Sequence, residues 1–206
     1  MKAKILALAA VGLIGLATSS IAGPIPYPNV GTLNPDVYTF KAIANGPIVA
    51  YFFGSSAAYG SQIGLSVNNL STGVYGLQDN LSYYGQMLTL TVGNVSAGDI
   101  LEFALQVSTS NSGGPPPLSY TLYSTPSDNA DGQQHVYSTA WGGDSIIPAG
   151  TYVGFEDISP ATSGDMDYND EQFVFTNVGE TAPDGGMTIS MLGIAFAGLG
   201  LLRRKM

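Results

Sequence analysis

The chain has no cysteine, a single histidine (His135) and a single tryptophan (Trp141). Without thiols there are no disulfide staples and no thiolate nucleophile, and with one imidazole zinc lacks its usual ligands. Basic residues are nearly as scarce. Of the six Lys and Arg, five lie at the two ends, and none falls between Lys41 and Arg203, while the chain carries fifteen Asp and Glu. A body so one-sidedly acidic repels nucleic acid and anionic membrane surfaces, so any membrane contact is expected through the C-terminal tail alone. Helical periodicity is also missing between the two ends.

What is present is an acidic stretch framed by two aromatic runs. Tyr152, Val153 and Phe155 precede it, Phe173, Val174 and Phe175 follow it, and Pro160, Ser163 and Gly164 punctuate the middle. The pattern predicts strand, acidic loop, strand. Glu156, Asp157, Asp165, Asp167, Asp170 and Glu171 crowd within it, and Asn169 adds a neutral oxygen. Carboxylates held close take up protons, spread into solvent or bind a cation, and hard Ca²⁺ takes six to eight such oxygens. The expected ligands are Glu156, Asp157, Asp165, Asp167, Asn169 and Asp170. The bland alternative is a solvated acidic turn. An EF-hand is excluded, because Asp170 stands where its sharp turn needs Gly and Thr176 where a bidentate Glu belongs.

The run Gly154-Phe155-Glu156-Asp157, the segment Gly164-Asp165-x-Asp167-Tyr168-Asn169-Asp170 and the strand Phe173-Val174-Phe175 resemble the signature of the bacterial domain-of-unknown-function family 4114. Asp131-Gly132-x-x-His135-Val136 resembles a segment that precedes the acidic motif in that family. Together they cover roughly residues 118–178. The resemblance implies a secreted or surface-displayed, calcium-binding domain and names no task. The loop between Asp157 and Asp165 is longer than the family pattern.

At the N-terminus, Lys2 and Lys4 precede an apolar run from Ile5 to Leu16 and small residues up to Ala22. This order predicts a signal peptide over residues 1–22, helical in its apolar part, cut between Ala22 and Gly23. At the C-terminus, Pro183-Asp184-Gly185-Gly186 leads into an apolar run from Met187 to Leu202, closed by Arg203, Arg204 and Lys205. Sixteen helical residues reach about 24 Å, short of the roughly 30 Å hydrocarbon core. The three-part tail, residues 179–206, resembles the PEP-CTERM sorting signals and most closely their VPDSG-CTERM variant. That resemblance implies an exosortase-type sorting protease as partner and the cell surface or extracellular matrix as destination. A plain single-span anchor is the alternative; in either case the basic end is expected inside and the body outside.

Between the ends, a proline-rich lead-in (23–35) is followed by nine short strand-like runs: 37–43, 48–53, 62–67, 87–92, 100–107, 119–123, 136–141, 152–155 and 173–175. Leu101, Phe103, Leu105 and Val107 alternate with Glu102, Ala104, Gln106 and Ser108, the period of a strand with one buried face. The expectation is an all-β fold: one antiparallel β-sandwich over 36–178, jelly-roll-like, stapled by a cation in place of disulfides.

Catalysis finds little to work with. His135 has no evident serine partner, and Gly143-Asp144-Ser145 reads as a turn, so His135 is expected to support the metal ligands, and the protein is not expected to be an enzyme. Carbohydrate binding is the rival reading. Twelve tyrosines and Trp141 offer stacking surfaces, notably Tyr59, Tyr75, Tyr83 and Tyr84, for exopolysaccharide.

Overall fold

The structure is a computed structural model that describes residues 25–57, 59–108, 119–158 and 164–181. The expected signal and sorting helices fall outside these residues. No helix among the described residues is long and apolar enough to cross a membrane.

The described chain is all β, apart from single 3-10 turns at Asp79–Leu81 and Pro126–Asp128. Its strands are β1 (Thr39–Ala42), β2 (Val49–Ser55), β3 (Gly60–Val67), β4 (Leu70–Gly76), β5 (Met87–Thr89), β6 (Ile100–Ser108), β7 (Ser119–Tyr123), β8 (Val136–Trp141), β9 (Gly150–Phe155), β10 (Glu171–Thr176) and β11 (Val178–Thr181). They form two antiparallel sheets. One runs β11-β1-β6-β3-β4, with β7 also on β6; the other runs β5-β2-β10-β9-β8. The first strand pairs with the last, and β2 with β10. β3 accompanies β6 from Leu101 to Ser108, so β1 and β7 share the opposite edge of β6 end to end.

The sandwich core forms where the period-two pattern predicts. Leu101, Phe103, Leu105 and Val107 of β6 are buried, and Phe103 stacks on Phe175 of the facing sheet with ring centroids 3.9 Å apart. β10 is covered on both faces. Phe173 and Phe175 enter the inter-sheet core, whereas Val174 joins Phe53, Trp141, Ile147 and Tyr152 in a second apolar layer on the outer face. A strand buried on both sides reads as a continuous apolar run, as F-V-F does.

Two strands lie beyond the nine expected runs. β4 is mostly exposed or half-buried, so no alternating apolar face marks it. Its signal was the turn: Asn68 and Asn69 both take positive φ (49° and 66°), the type I′ conformation that joins β3 to β4. β11 follows Asn177 (φ 63°), whose side chain bonds the amide of Ala44 at 2.8 Å and carries the chain back to β1.

The proline-rich segment is packed into the fold. Tyr27 and Asn34 are buried, and the Asn34 side chain donates to the Tyr38 hydroxyl (2.9 Å) and to the Val136 carbonyl (3.0 Å). Residues 25–34 thus cover the outer face of the second sheet and reach the acidic loop.

Candidate metal centre

β9 runs out of the sheet into Glu156 and Asp157, and the chain returns at Glu171, which pairs with Phe155. The end of the intervening loop is held by its apolar members. Met166 (φ 54°) and Tyr168 (φ 55°) both occupy the left-handed region, which side-chain-bearing residues seldom adopt. Burial compensates that strain: both are buried with Tyr27, whose ring meets Tyr168 edge-on at 4.8 Å. The Tyr168 hydroxyl accepts from the Asn34 amide (2.8 Å) and donates to the Gln134 carbonyl (3.2 Å), and the Gly31 amide donates to the Met166 carbonyl (3.2 Å).

With alternate residues anchored this way, Asp165 and Asp167 are left to meet Glu156. One carboxylate oxygen from each of the three lies within 4.8 Å of the others. Oxygens sharing one Ca²⁺ at 2.3–2.6 Å stand at most about 5 Å apart, so this spacing fits a single ion. Two glycines permit the approach. A Cβ on Gly154 would overlap the Tyr168 carbonyl oxygen, and one on Gly164 would come within 2.9 Å of Glu156 Oε1.

Three of the acids are out of water, whereas Asp167 is half-buried and Asp165 exposed. Glu156, Asp157 and Glu171 are 2%, 1% and 0% exposed, and each keeps one oxygen with no hydrogen-bond partner. Burial, and then the neighbouring Asp170, Asp165 and Asp167, push Glu156 up to about 8. Burial, and then Asp170, push Asp157 to about 8 as well. Asp167 and Asp170 are raised too, again chiefly by burial. With no Lys or Arg between Lys41 and Arg203, these groups either hold protons or receive a cation.

The ligands expected from the sequence fall into distinct roles here. Glu156, Asp165 and Asp167 converge. Asn169 braces Asp167: its amide donates to Asp167 Oδ1 (3.1 Å), and its side-chain nitrogen donates to Asp167 Oδ2. Asp157 and Asp170 form a second association, the Asp157 amide donating to Asp170 Oδ2 at 2.8 Å. Part of the longer loop, residues 159–163, lies outside the described residues.

His135 is fully buried beneath this arrangement. Its Nδ1 donates to the Glu156 carbonyl (2.9 Å), its Nε2 lies 3.1 Å from Asp131 Oδ2, and its own carbonyl accepts the Glu156 amide (2.9 Å). Both ring nitrogens are engaged, and the one toward the loop holds Glu156 by its backbone. Sequence reasoning did not identify Tyr27, Asn34, Met166 and Tyr168 as supports; the alternation D-M-D-Y-N-D was the available signal for the last two.

Other candidates have structural employment. Asp144 Oδ1 accepts the amides of Ile146 and Ile147, both at 2.7 Å, and Oδ2 accepts the Tyr84 hydroxyl, so Gly143-Asp144-Ser145 is a self-bonded turn. Trp141 is buried beside Phe53, and Tyr59 packs on the core. Of the four tyrosines singled out for stacking, Tyr83 is the one largely exposed, at 71%. Ala22 and Gly23, the tail motif Pro183, Asp184, Gly185 and Gly186, and the basic Arg203, Arg204 and Lys205 lie outside the described residues.

No curated protein and no solved structure matches the chain. The VPDSG-CTERM motif matches residues 183–206. The match supports a C-terminal sorting signal on an exported protein associated with the surface or membrane, and implies processing by an exosortase-like system.

Proposed function

We propose that the protein is a sorted cell-surface or matrix component whose sandwich binds calcium at the acidic loop and serves a structural or adhesive role. One observation carries the metal reading: the oxygens of Glu156, Asp165 and Asp167 lie within 4.8 Å, and the nearly inaccessible Glu156 keeps Oε2 unpartnered. Leaving such a group unmatched is unfavourable, and a hard divalent ion with oxygen preference relieves it. The resemblance of residues 118–178 to family 4114 points the same way, and the first-with-last strand pairing agrees with a jelly-roll-like topology. Bound ion, the ligand loop and the strand ends it joins would form one cooperative unit, a substitute for disulfides in an exported chain. His135 and the turn at Asp144 have structural roles, and we assign no catalysis.

Titration calorimetry of the purified protein tests this. Calcium is expected to bind with Kd of roughly 10⁻⁴–10⁻³ M, as in extracellular modules, and magnesium more weakly. A reduced signal in Glu156→Gln supports the site; equal heats for wild type and variant contradict it.

Carbohydrate binding is the second reading. A groove of about 240 Å³ is lined by Gln62, Gln78, Gln106, Ser61, Ser108 and Ser119, neutral amides and hydroxyls suited to sugar hydroxyls. A rise in melting temperature with soluble exopolysaccharide at saturating calcium would favour it over a purely structural role.

A further inference from the structure

The two acids at the end of β9 part company. Strand alternation puts Phe155 and Val153 in the inter-sheet core and Tyr152 in the outer layer. Carried one step further, Glu156 belongs to the outer side, where it meets Asp165 and Asp167, and Asp157 to the inner side. Glu171 is inner as well. It pairs directly with Phe155, and its face of β10 continues through Phe173 and Phe175 into the core. Its side chain is a fully buried carboxylate at the mouth of a sandwich.

We propose that this inner side holds a second hard divalent cation, bound by Asp157, Glu171, Asp79 and Asp170; the proposal rests on the calcium reading of the outer cluster. Two unpartnered atoms point to a ligand independently of the crowding of acids: Asp157 Oδ2 and Glu171 Oε2, on residues 1% and 0% exposed. Glu171 has only the Ser55 hydroxyl at 3.5 Å on its other oxygen. Asp79 arrives from the facing side of the sandwich. It is 9% exposed, sits on the 3-10 turn after β4, and spends Oδ1 on the Ser61 amide of β3 at 3.2 Å.

The electrostatic neighbourhoods divide the same way except at Asp165, which reaches both sides. Glu171 feels Asp79, Asp157 and Asp170, and Asp157 feels Asp170, Asp79 and Asp165, whereas Glu156 feels Asp170, Asp165 and Asp167. Asp170 is common to all three sets, so it stands between the two positions. All donors are oxygens, the set a calcium-sized ion takes and one no thiol or imidazole here would compete for. Among the described residues only the outer three bring their oxygens within 4.8 Å. The inner oxygens stand wider and must rotate inward to close, so the inner position is the weaker of the two. An ion there would tie the loop after β4 to the β9–β10 end, joining the two sheets as a disulfide does.

Counting bound calcium by equilibrium dialysis of the full chain against millimolar Ca²⁺ tests this, with Glu171→Gln and Asp79→Asn as variants. Wild type is expected to hold two ions, each variant one, and Asp165→Asn/Asp167→Asn to lose the tighter ion. Gln reproduces the shape of a protonated Glu171, so in chelator Glu171→Gln should melt no lower than wild type, and Asp79→Asn approaches the site from a separate segment. One ion in wild type, unchanged in both variants, overturns the inner position and leaves the outer reading intact. Two ions retained in both variants also overturns it. No bound ion at all overturns both readings.

Discussion

His135 and Glu156 are bonded to each other in both directions: the Glu156 amide donates to the His135 carbonyl, and His135 Nδ1 donates to the Glu156 carbonyl, each at 2.9 Å. The imidazole therefore holds the backbone of a buried acid and leaves the carboxylate free to face Asp165 and Asp167. Removing the ring in His135→Ala frees the Glu156 carbonyl and takes one partner from Asp131, without touching a carboxylate of the metal cluster. Outer supports of metal ligands typically contribute 10- to 100-fold in affinity, so calcium binding should weaken by roughly that factor. A calcium titration of the variant, beside its melting curve in chelator, separates lost support from lost folding.

The pH dependence should be inverted relative to an ordinary acidic protein. Free carboxyls titrate near about 4, whereas burial holds Glu156 and Asp157 at about 8 and Glu171 at about 10. Between these limits the folded protein keeps protons that the unfolded chain has shed. Stability in chelator is then fully present in acid and falls as pH rises, by ~1.4 kcal/mol per pH unit for each proton so held. Calcium requires the deprotonated groups, so the gap between melting in calcium and in chelator should widen with pH. Melting series across the acid-to-alkaline range in both conditions check the two slopes.

Gly154 lies where a Cβ would overlap the carbonyl oxygen of Tyr168. Gly154→Ala should push the acidic loop off β9, lowering stability by about 1–3 kcal/mol and weakening calcium binding with it. Gly142, which has open space around it, provides the control: Gly142→Ala should leave both unchanged. Denaturant unfolding and calcium titration of the pair give the comparison.

Tyr168→Phe tests the loop's anchoring separately from its charge. The lost hydroxyl bridges the Asn34 amide and the Gln134 carbonyl, and orphaning these buried groups costs about 1–3 kcal/mol. The ring keeps its packing against Tyr27 and Met166 and no carboxylate changes, so the fall in melting temperature should be similar with calcium and with chelator.

The core was legible because its strands alternate: Leu101, Phe103, Leu105 and Val107 announced β6, and F-V-F announced β10. β4 was not, since an exposed edge strand carries no apolar stripe and its evidence lay in the Asn68-Asn69 turn. The acidic loop was visible as a density of charge, and Asp165 and Asp167 do meet Glu156. The partition of Asp157 from Glu156 was not legible, because it depends on which face of β9 each acid continues. Asp79 had no local signal at all. It is far away in sequence, and the pairing of β3 with β6 and β4 brings it to the strand end. The same holds for residues 25–34, whose prolines signal extension but not the sheet face they cover.

Calcium binding at the acidic loop is tested most directly by thermal unfolding of the purified protein in excess Ca²⁺, in Mg²⁺ and in chelator, beside the Asp165→Asn/Asp167→Asn variant. Binding that favours the folded state raises the melting temperature by mass action, so wild type should melt highest in calcium and the variant should lose most of that rise. Identical wild-type curves in all three conditions would contradict the account and return the loop to a protonated, solvent-flanked turn.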